Sequence, residues 1–483
     1  MISSFNSIYL QQNHTEDKRL KTIVIDGVFF QIHQTGIARV WRSLLEEWQK
    51  SGFARHIVVL DRNQTAPKFE GIRYYSIPAY GFHEAALECK RLQKVCDQVN
   101  ADLFLSTYYT TPIFTPSILM VHDMIPEVIG LDLTELCWQE KHYSILHAAK
   151  YIAVSHNTAK DLIRFYPHIT KNLIYVINNG IDQGFYPQNI DSIENFKIRF
   201  NIQLPYFILV GFRLGLKNYK NTILLFNALK HHFIKDIAIV CVGGEPELEP
   251  ELGSLLTDIP VYLLSLTEED LRAAYSGAIA LIYPSLYEGF GLPIVEAMAC
   301  GCPVITCRNS SLPEVAGDAA LYVDEYDVNE MITALKQVQI PEVRQKMIAE
   351  GLKQAQKFSW SKMADAIAKL CLETVQEFRE NPYKNAQGNL IWQEFRQLQI
   401  EQQEQASLAE QKIQSLEETI NQLQQQCQDS LQKTEELNRK IINVSPLKSK
   451  IKKLLKYVIS QFGIDPHQIK TIFKKNLQKR KEP

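Results

Sequence analysis

Two carboxylates, Glu288 and Glu296, flank a turn of small residues that opens a helix. The run Ala280-Leu281-Ile282-Tyr283 ahead of them reads as a buried strand. Gly289-Phe290-Gly291 then turns the chain, and Leu292-Pro293 starts a helix whose first turn tolerates proline. Glycines let backbone N–H groups approach a ligand closely, and a helix N-terminus attracts anions. Carboxylates repel phosphate but accept hydrogen bonds from sugar hydroxyls. Anion donors beside two carboxylates therefore suit a ligand with both phosphate and vicinal hydroxyls, and a nucleotide sugar fits. Taken singly, either Glu reads as well as a helix cap or a surface carboxylate.

A second cluster is Gly211-Phe212-Arg213-Leu214-Gly215-Leu216-Lys217-Asn218. Arg213 offers a rigid fork for phosphate oxygens and Lys217 a mobile point charge. Together they suit a diphosphate leaving group, on which charge grows as its bond to carbon breaks. Alone, they read as two solvated loop charges. A third candidate is His122 in Val121-His122-Asp123, at a strand tip, where a hydrogen-bonded loop histidine is the alternative. A fourth is Gly36, which opens a helix after Phe29-Phe30.

The elements that must position these groups alternate. Strands are expected at Thr22–Asp26, His56–Leu60, Ser117–His122, Tyr151–Ser155 and Leu173–Ile177, with helices such as Gly36–Ser51 and Thr158–Tyr166 between them. Asp182 to Pro205 reads as a linker. The alternation restarts at Tyr206–Val210 and continues through Ile237–Val242, Val261–Leu264, Ala278–Tyr283, Val304–Thr306 and Leu321–Val323. Short strands alternating with helices imply parallel sheets covered on both faces. The expectation is an α/β chain of two doubly wound halves facing a cleft, with ligands at the carboxyl ends of strands.

These residues resemble those of a retaining glycosyltransferase of family four. Glu288 to Glu296 match that family's E-x7-E motif with its EGFGLP lead. Gly301, Pro303, Leu312-Pro313-Glu314-Val315, Gly317-Asp318-Ala319-Ala320, Val154-Ser155, Asn179-Gly180-Ile181-Asp182 and Arg213…Lys217-Asn218 stand where the family pattern has them. The resemblance spans about Lys21 to Glu380. It implies a GT-B fold of two Rossmann-like domains: 20–182, joined by returning helices at 359–380, and 183–358. It implies that Arg213 and Lys217 bind the donor diphosphate and Glu296 the ribose. Glu288, with the N–H groups of Phe290, Gly291 and Leu292, would hold the donor sugar. His122 would touch the transferred sugar, Gly36 would let the first half approach the phosphates, and Gly243 belongs with the donor-binding positions. Transfer would retain anomeric configuration by a front-face route, with no cofactor and, given no D-x-D motif, no metal. Phe212 and Ser265 depart from the family's small residues, which leaves the base open. Mannose, glucose and N-acetylglucosamine donors all suit the frame. A degenerate module kept as a scaffold and a nucleotide-sugar epimerase are the competing readings.

From Asn389 to Ser445 the chain has neither Gly nor Pro. Apolar residues recur there at spacings of three and four, from Trp392 and Phe395 through Ile413, Leu416, Ile420, Leu423 and Cys427 to Ile441 and Val444. That pattern predicts a coiled coil and a homo-oligomer, the alternative being a lone Gln-rich helix. Residues 446–483 hold ten Lys and one Arg against one Asp and one Glu, a net charge of +9, while the remainder carries −11. Leu447, Ile451, Leu454, Leu455 and Val458 interleave with these lysines, as in a helix lying on anionic lipid. Such a tail suits a glycan or lipid-linked acceptor at a membrane. It has little besides charge and Tyr457 to recognise nucleic acid, which is not expected as a partner.

The 483 residues are too many for one core, and a hydrophobic fraction of 46% excludes a disordered chain. Nine scattered cysteines without paired C-x-x-C elements read as free thiols in a reducing compartment. The first twenty residues lack an apolar run, and no window reaches the ~18 apolar residues of a spanning helix. The expectation is a cytoplasmic protein, peripheral at the inner membrane face through its tail. The acidic run Glu245-Pro246-Glu247-Leu248-Glu249 reads as solvated surface.

Overall fold

The computed structural model describes residues 20–33, 36–81, 85–231, 236–255, 259–381 and 386–441, with six more between 450 and 461. The chain divides into a unit ending at Gln403 and one beginning at Glu404.

The first unit contains two sheets. Strands β1 (Ile23–Asp26), β2 (Ile57–Arg62), β3 (Arg73–Ile77), β4 (Leu103–Ser106), β5 (Ser117–Val121), β6 (Lys150–Ala153) and β7 (Ile174–Val176) pair in the order β3-β2-β1-β4-β5-β6-β7. Strands β8 (Tyr206–Val210), β9 (Ala238–Val242), β10 (Val261–Leu264), β11 (Leu281–Tyr283), β12 (Val304–Cys307) and β13 (Ala320–Val323) pair as β10-β9-β8-β11-β12-β13. Every pairing is parallel. Helices cover the faces, so β1, β2, β4, β5 and β9 are buried at every position, in keeping with their mainly apolar runs. The helix Gly36–Ser51 turns Val40, Leu44, Leu45 and Trp48 onto the first sheet. Buried Arg62 ties β2 to β1 and to the helix Ala85–Gln98 through ion pairs with Asp26 and Glu88.

The stretch expected as a linker contains a helix, Ile190–Arg199. Asn189 caps it by accepting the Ser192 N–H, and Phe196 buries against Tyr206 and Phe200. The helix Trp360–Glu380 returns to the first half. There Trp48 Nε1 donates to the Ala364 carbonyl, and Arg379 pairs with Asp102. A side chain at Gly180 would run into the backbone of Ser359 and Trp360, so the two segments that cross between the halves lie against each other.

The long helix spans Ala386–Ile441. Its early turns do not follow the expected heptads. Arg396, Gln399, Ile400 and Gln403 form the docked stripe: Arg396 pairs with Glu140, Gln399 donates to the Tyr143 hydroxyl, and Gln403 accepts the N–H groups of Ala86 and Leu87. Ile400 is 1% exposed, whereas Phe395 is 41% exposed. The heptad seam therefore has room only beyond Gln403. Residues 442–445 and most of the basic tail, its apolar positions included, lie outside the described residues; Lys450, Lys453, Lys456, Tyr457, Ser460 and Gln461 are helical. Seven of the nine cysteines are buried and all are free; Cys427 is exposed.

Candidate active site

Each sheet reverses its strand order once, between β1 and β4 and between β8 and β11. Ligands of open parallel sheets bind outside the carboxyl ends at such points. The segments that leave β8 and β11 hold Arg213, Lys217, Lys220, Glu288 and Glu296, and those that leave β1 and β5 hold Gly36, Arg39 and His122. The two sets touch. A side chain at Gly289 would collide with the His122 carbonyl, so only glycine lets the β11 loop lie on the β5 tip. Gly36 faces Leu292 at the start of the helix Leu292–Ala299.

Glu288 is clasped from several sides. Its carboxylate pairs with Lys220 Nζ and accepts the Ser285 hydroxyl at 2.7 Å. Its N–H donates to Ser310 Oγ, and Ser311 Oγ lies 2.9 Å and 3.0 Å from the carbonyls of Glu288 and Phe290. Lys220 also lies 3.3 Å from the Tyr283 hydroxyl. Burial pulls its pKa down, but Glu288, Tyr283 and Tyr219 outweigh burial and hold it well above the usual lysine value, so it stays charged. Gly291, in the left-handed region, precedes Leu292; Pro293 has no N–H and the Ile294 N–H donates to the Gly291 carbonyl, so the Leu292 N–H is the one this helix leaves without an intrahelical partner. Glu296, 2% exposed, pairs with Arg39 Nη1 and accepts the Tyr275 hydroxyl at 3.1 Å. The Glu296 charge raises the Arg39 pKa.

Arg213 is no solvated loop charge. It is 1% exposed, and its donors go to the Glu249 carboxylate and the carbonyls of Gly243, Glu245 and Glu247. Glu245, Pro246 and Glu247 are exposed, as expected of solvated surface, but the carbonyls of Glu245 and Glu247 also clasp Arg213, and Glu249 is its counter-charge. Lys217, exposed and with φ of +48°, donates to the carbonyls of Ile129 and Gly130 at the rim of the first half. The structure brings Lys220 to Glu288, not Lys217. The dipeptide Lys-Asn occurs twice here, at 217 and at 220, and was the one available signal for Lys220.

Family models match both halves: Glycosyltransferase Family 4 over residues 34–185, and Glycosyl transferases group 1 over residues 205–339. Both halves are glycosyltransferase domains. The chain is 48% identical over 100 residues to O-antigen chain mannosyltransferase B of Escherichia coli, covering 20% of this chain and 26% of that protein. It is 27% identical to O-antigen chain mannosyltransferase RfbU of Salmonella typhimurium, covering 50% of this chain and 67% of that one. The chain spans from about a quarter to two thirds of the length of these curated relatives. The fold matches that of Anabaena HepE, solved in complex with UDP and glucose, with a TM-score of 0.58, 17% identity, and coverage of 72% of this chain and 99% of that chain. The two-domain GT-B architecture is therefore established for residues through the returning helix.

Further bonds join the two glycosyltransferase domains. Glu314 accepts the N–H groups of His156 and Asn157, taking the N-terminus of the helix His156–Phe165, and also accepts the Asn178 amide. The Tyr287 hydroxyl donates to Asp161, and Thr158 Oγ1 to the Gly289 carbonyl. The His122 residue keeps some exposure, yet its Nε2 is sequestered with no partner among the described residues.

Burial pushes His122 and His147 down to about 4. An unfolded chain binds these protons below about pH 6.5, while the folded one stays neutral to about 4. Stability is therefore lost as pH falls through that window, on the order of 3 kcal/mol per histidine. Urea midpoints should drop between pH 6.5 and pH 4.5, and His147→Asn should flatten the slope. An unchanged slope would remove His147 from the account.

Proposed function

We propose that this chain is a retaining hexosyltransferase that moves a sugar, of the mannose, glucose or N-acetylglucosamine type, from a nucleotide-sugar donor to a glycan or lipid-linked acceptor. The observation that carries the reading is the paired arrangement at the β8/β11 reversal: a largely buried Lys220–Glu288 pair beside a helix N-terminus, with Glu296 about one turn into that helix. The mannosyltransferase relatives favour mannose.

In this reading the ribose hydroxyls bond to Glu296, and Glu288 with the N–H groups of Phe290, Gly291 and Leu292 holds the donor sugar. Lys220 neutralises the charge that develops on the leaving oxygen. Arg213 holds the 243–249 loop, Gly243 included, beside that oxygen. The bond from the anomeric carbon to the diphosphate breaks as an acceptor oxygen bonds to the same face. The acceptor proton passes to the departing phosphate oxygen. The unpartnered His122 Nε2 suits a hydroxyl of the transferred sugar, since a buried nitrogen without a partner costs about 1–3 kcal/mol that such a bond would recover. Protein cations, not a metal, carry the leaving-group charge, so transfer should survive EDTA.

The test is a panel of UDP-, GDP- and ADP-sugars against the full-length protein, read as thermal stabilisation and slow donor hydrolysis. One donor should stabilise the protein and be cleaved, and Glu296→Ala should need a roughly ten- to hundredfold higher donor concentration for both effects. Silence toward every donor would overturn the transferase reading.

The basic tail is proposed to hold the enzyme on anionic membrane. No helix among the described residues is long and apolar enough to cross a bilayer. A version ending at Gln403 keeps the docked stripe and should retain donor cleavage but no longer sediment with phosphatidylserine vesicles. Sedimentation equal to that of the full chain would end the membrane reading.

A further inference from the structure

Beyond Gln403 the long helix exposes an apolar row, interrupted at Ser430 and Thr434. Ile413, Leu416, Ile420 and Leu423 are each more than half exposed, as is Leu437. We infer that this row is one strand of a parallel, in-register, two-stranded coiled coil, whose partner is a second copy of the same chain.

Three features select that occupant. In the heptad frame, Ile413 and Ile420 fall at the first core position and Leu416, Leu423 and Leu437 at the second. β-Branched residues at the first and Leu at the second favour two parallel strands over three. The weak layers also choose an orientation. Ser430 and Thr434 are core positions here. In register and parallel, each meets its own copy, so hydroxyl faces hydroxyl. Antiparallel, with the same overlap, Ser430 would face Ile420 and Thr434 would face Leu416, which buries two hydroxyls against hydrocarbon. Finally, Lys412 and Glu417 flank the core five residues apart, the spacing that forms an ion pair between parallel strands. Reversal sets Glu417 beside Leu431 and forfeits it. The helix has no Gly or Pro through this stretch, and its roughly five heptads exceed the three to four that a coiled coil needs.

One consequence is specific to this pairing. Cys427 occupies a first core position and is exposed in the single chain. In a parallel dimer it lies across the axis from the Cys427 of the second copy. In an antiparallel dimer it faces Leu423.

The test uses the full chain, free of any sugar substrate. Light scattering at micromolar concentration should give twice the chain mass. A short bismaleimide, to which each thiol adds across one carbon–carbon double bond, should give a covalent dimer on a denaturing gel. Cys427→Ser should abolish the cross-link and leave the solution mass unchanged. The pair Leu416→Asp and Leu423→Asp should give monomer whose thermal melting, set by the unit ending at Gln403, is unchanged. A monomeric or threefold wild-type mass would overturn the inference, as would a dimer in which Cys427 does not cross-link. None of these readouts depends on transfer, so their failure leaves the transferase reading untouched.

Discussion

Lys220→Met should lower kcat by about 10²–10³ while changing the donor KM far less, because the ammonium acts on charge present mainly in the transition state. The variant has a second, separable effect. Breaking a buried ion pair costs about 3–5 kcal/mol, since Glu288 is left without its counter-charge. A variant that merely unfolds would mimic lost catalysis. The double change Lys220→Met and Glu288→Gln removes the stranded charge and should recover much of the melting temperature without recovering kcat. Single-turnover cleavage of the identified donor reads the chemical step. A rate within threefold of the parent in the folded double variant would take Lys220 out of the mechanism. The companion variant Lys217→Met should leave kcat nearly intact, because Lys217 spends its charge on carbonyls of the first half.

Glu296→Ala should weaken the nucleotide rather than the chemistry. A hydrogen bond to a charged group contributes about 1.5–3 kcal/mol, so Kd should rise by roughly one to two orders of magnitude. The loss should be equal for the donor and the free nucleoside diphosphate, since both carry the ribose. Titration calorimetry with each ligand makes the comparison. A loss confined to the donor would place Glu296 on the transferred sugar instead. The substitution also frees Arg39 and Tyr275, which the carboxylate now holds. Glu296→Gln, which keeps a side-chain acceptor, should recover part of the affinity.

The two doubly wound halves were legible because unbroken apolar runs in alternation with amphipathic ones have few other uses. The helix Gly36–Ser51 and the strand Tyr206–Val210 carry that signal strongly. Arg73–Ile77 does not, for it is an edge strand with exposed positions, and propensity alone is weak there. The helix Ile190–Arg199 buries only Phe196, so its sequence lacks a clear apolar stripe. At the site, the Glu288 loop was legible because its glycines, proline and carboxylates are each restricted by local geometry. Lys220 was hidden by a different problem. Lys217-Asn218 and Lys220-Asn221 are locally equivalent, and which ammonium reaches Glu288 depends on a left-handed residue at Lys217 that local sequence does not announce. Arg39 and Glu249 were missed because each finds its opposite charge only after the sheets assemble.

The returning helix has a consequence for synthesis on the ribosome. Trp48 and Asp102, near the start of the chain, are completed by Ala364 and Arg379, and the backbone at Ala86 by Gln403. The first domain to emerge therefore waits, partly uncovered, for the last residues of the body. The second domain, contiguous from the 180s to the 350s, finishes first. Completion of the first domain thus comes after the second has been made, and the exposure of its uncovered surface until then is where a nascent chain of this design would most need a chaperone.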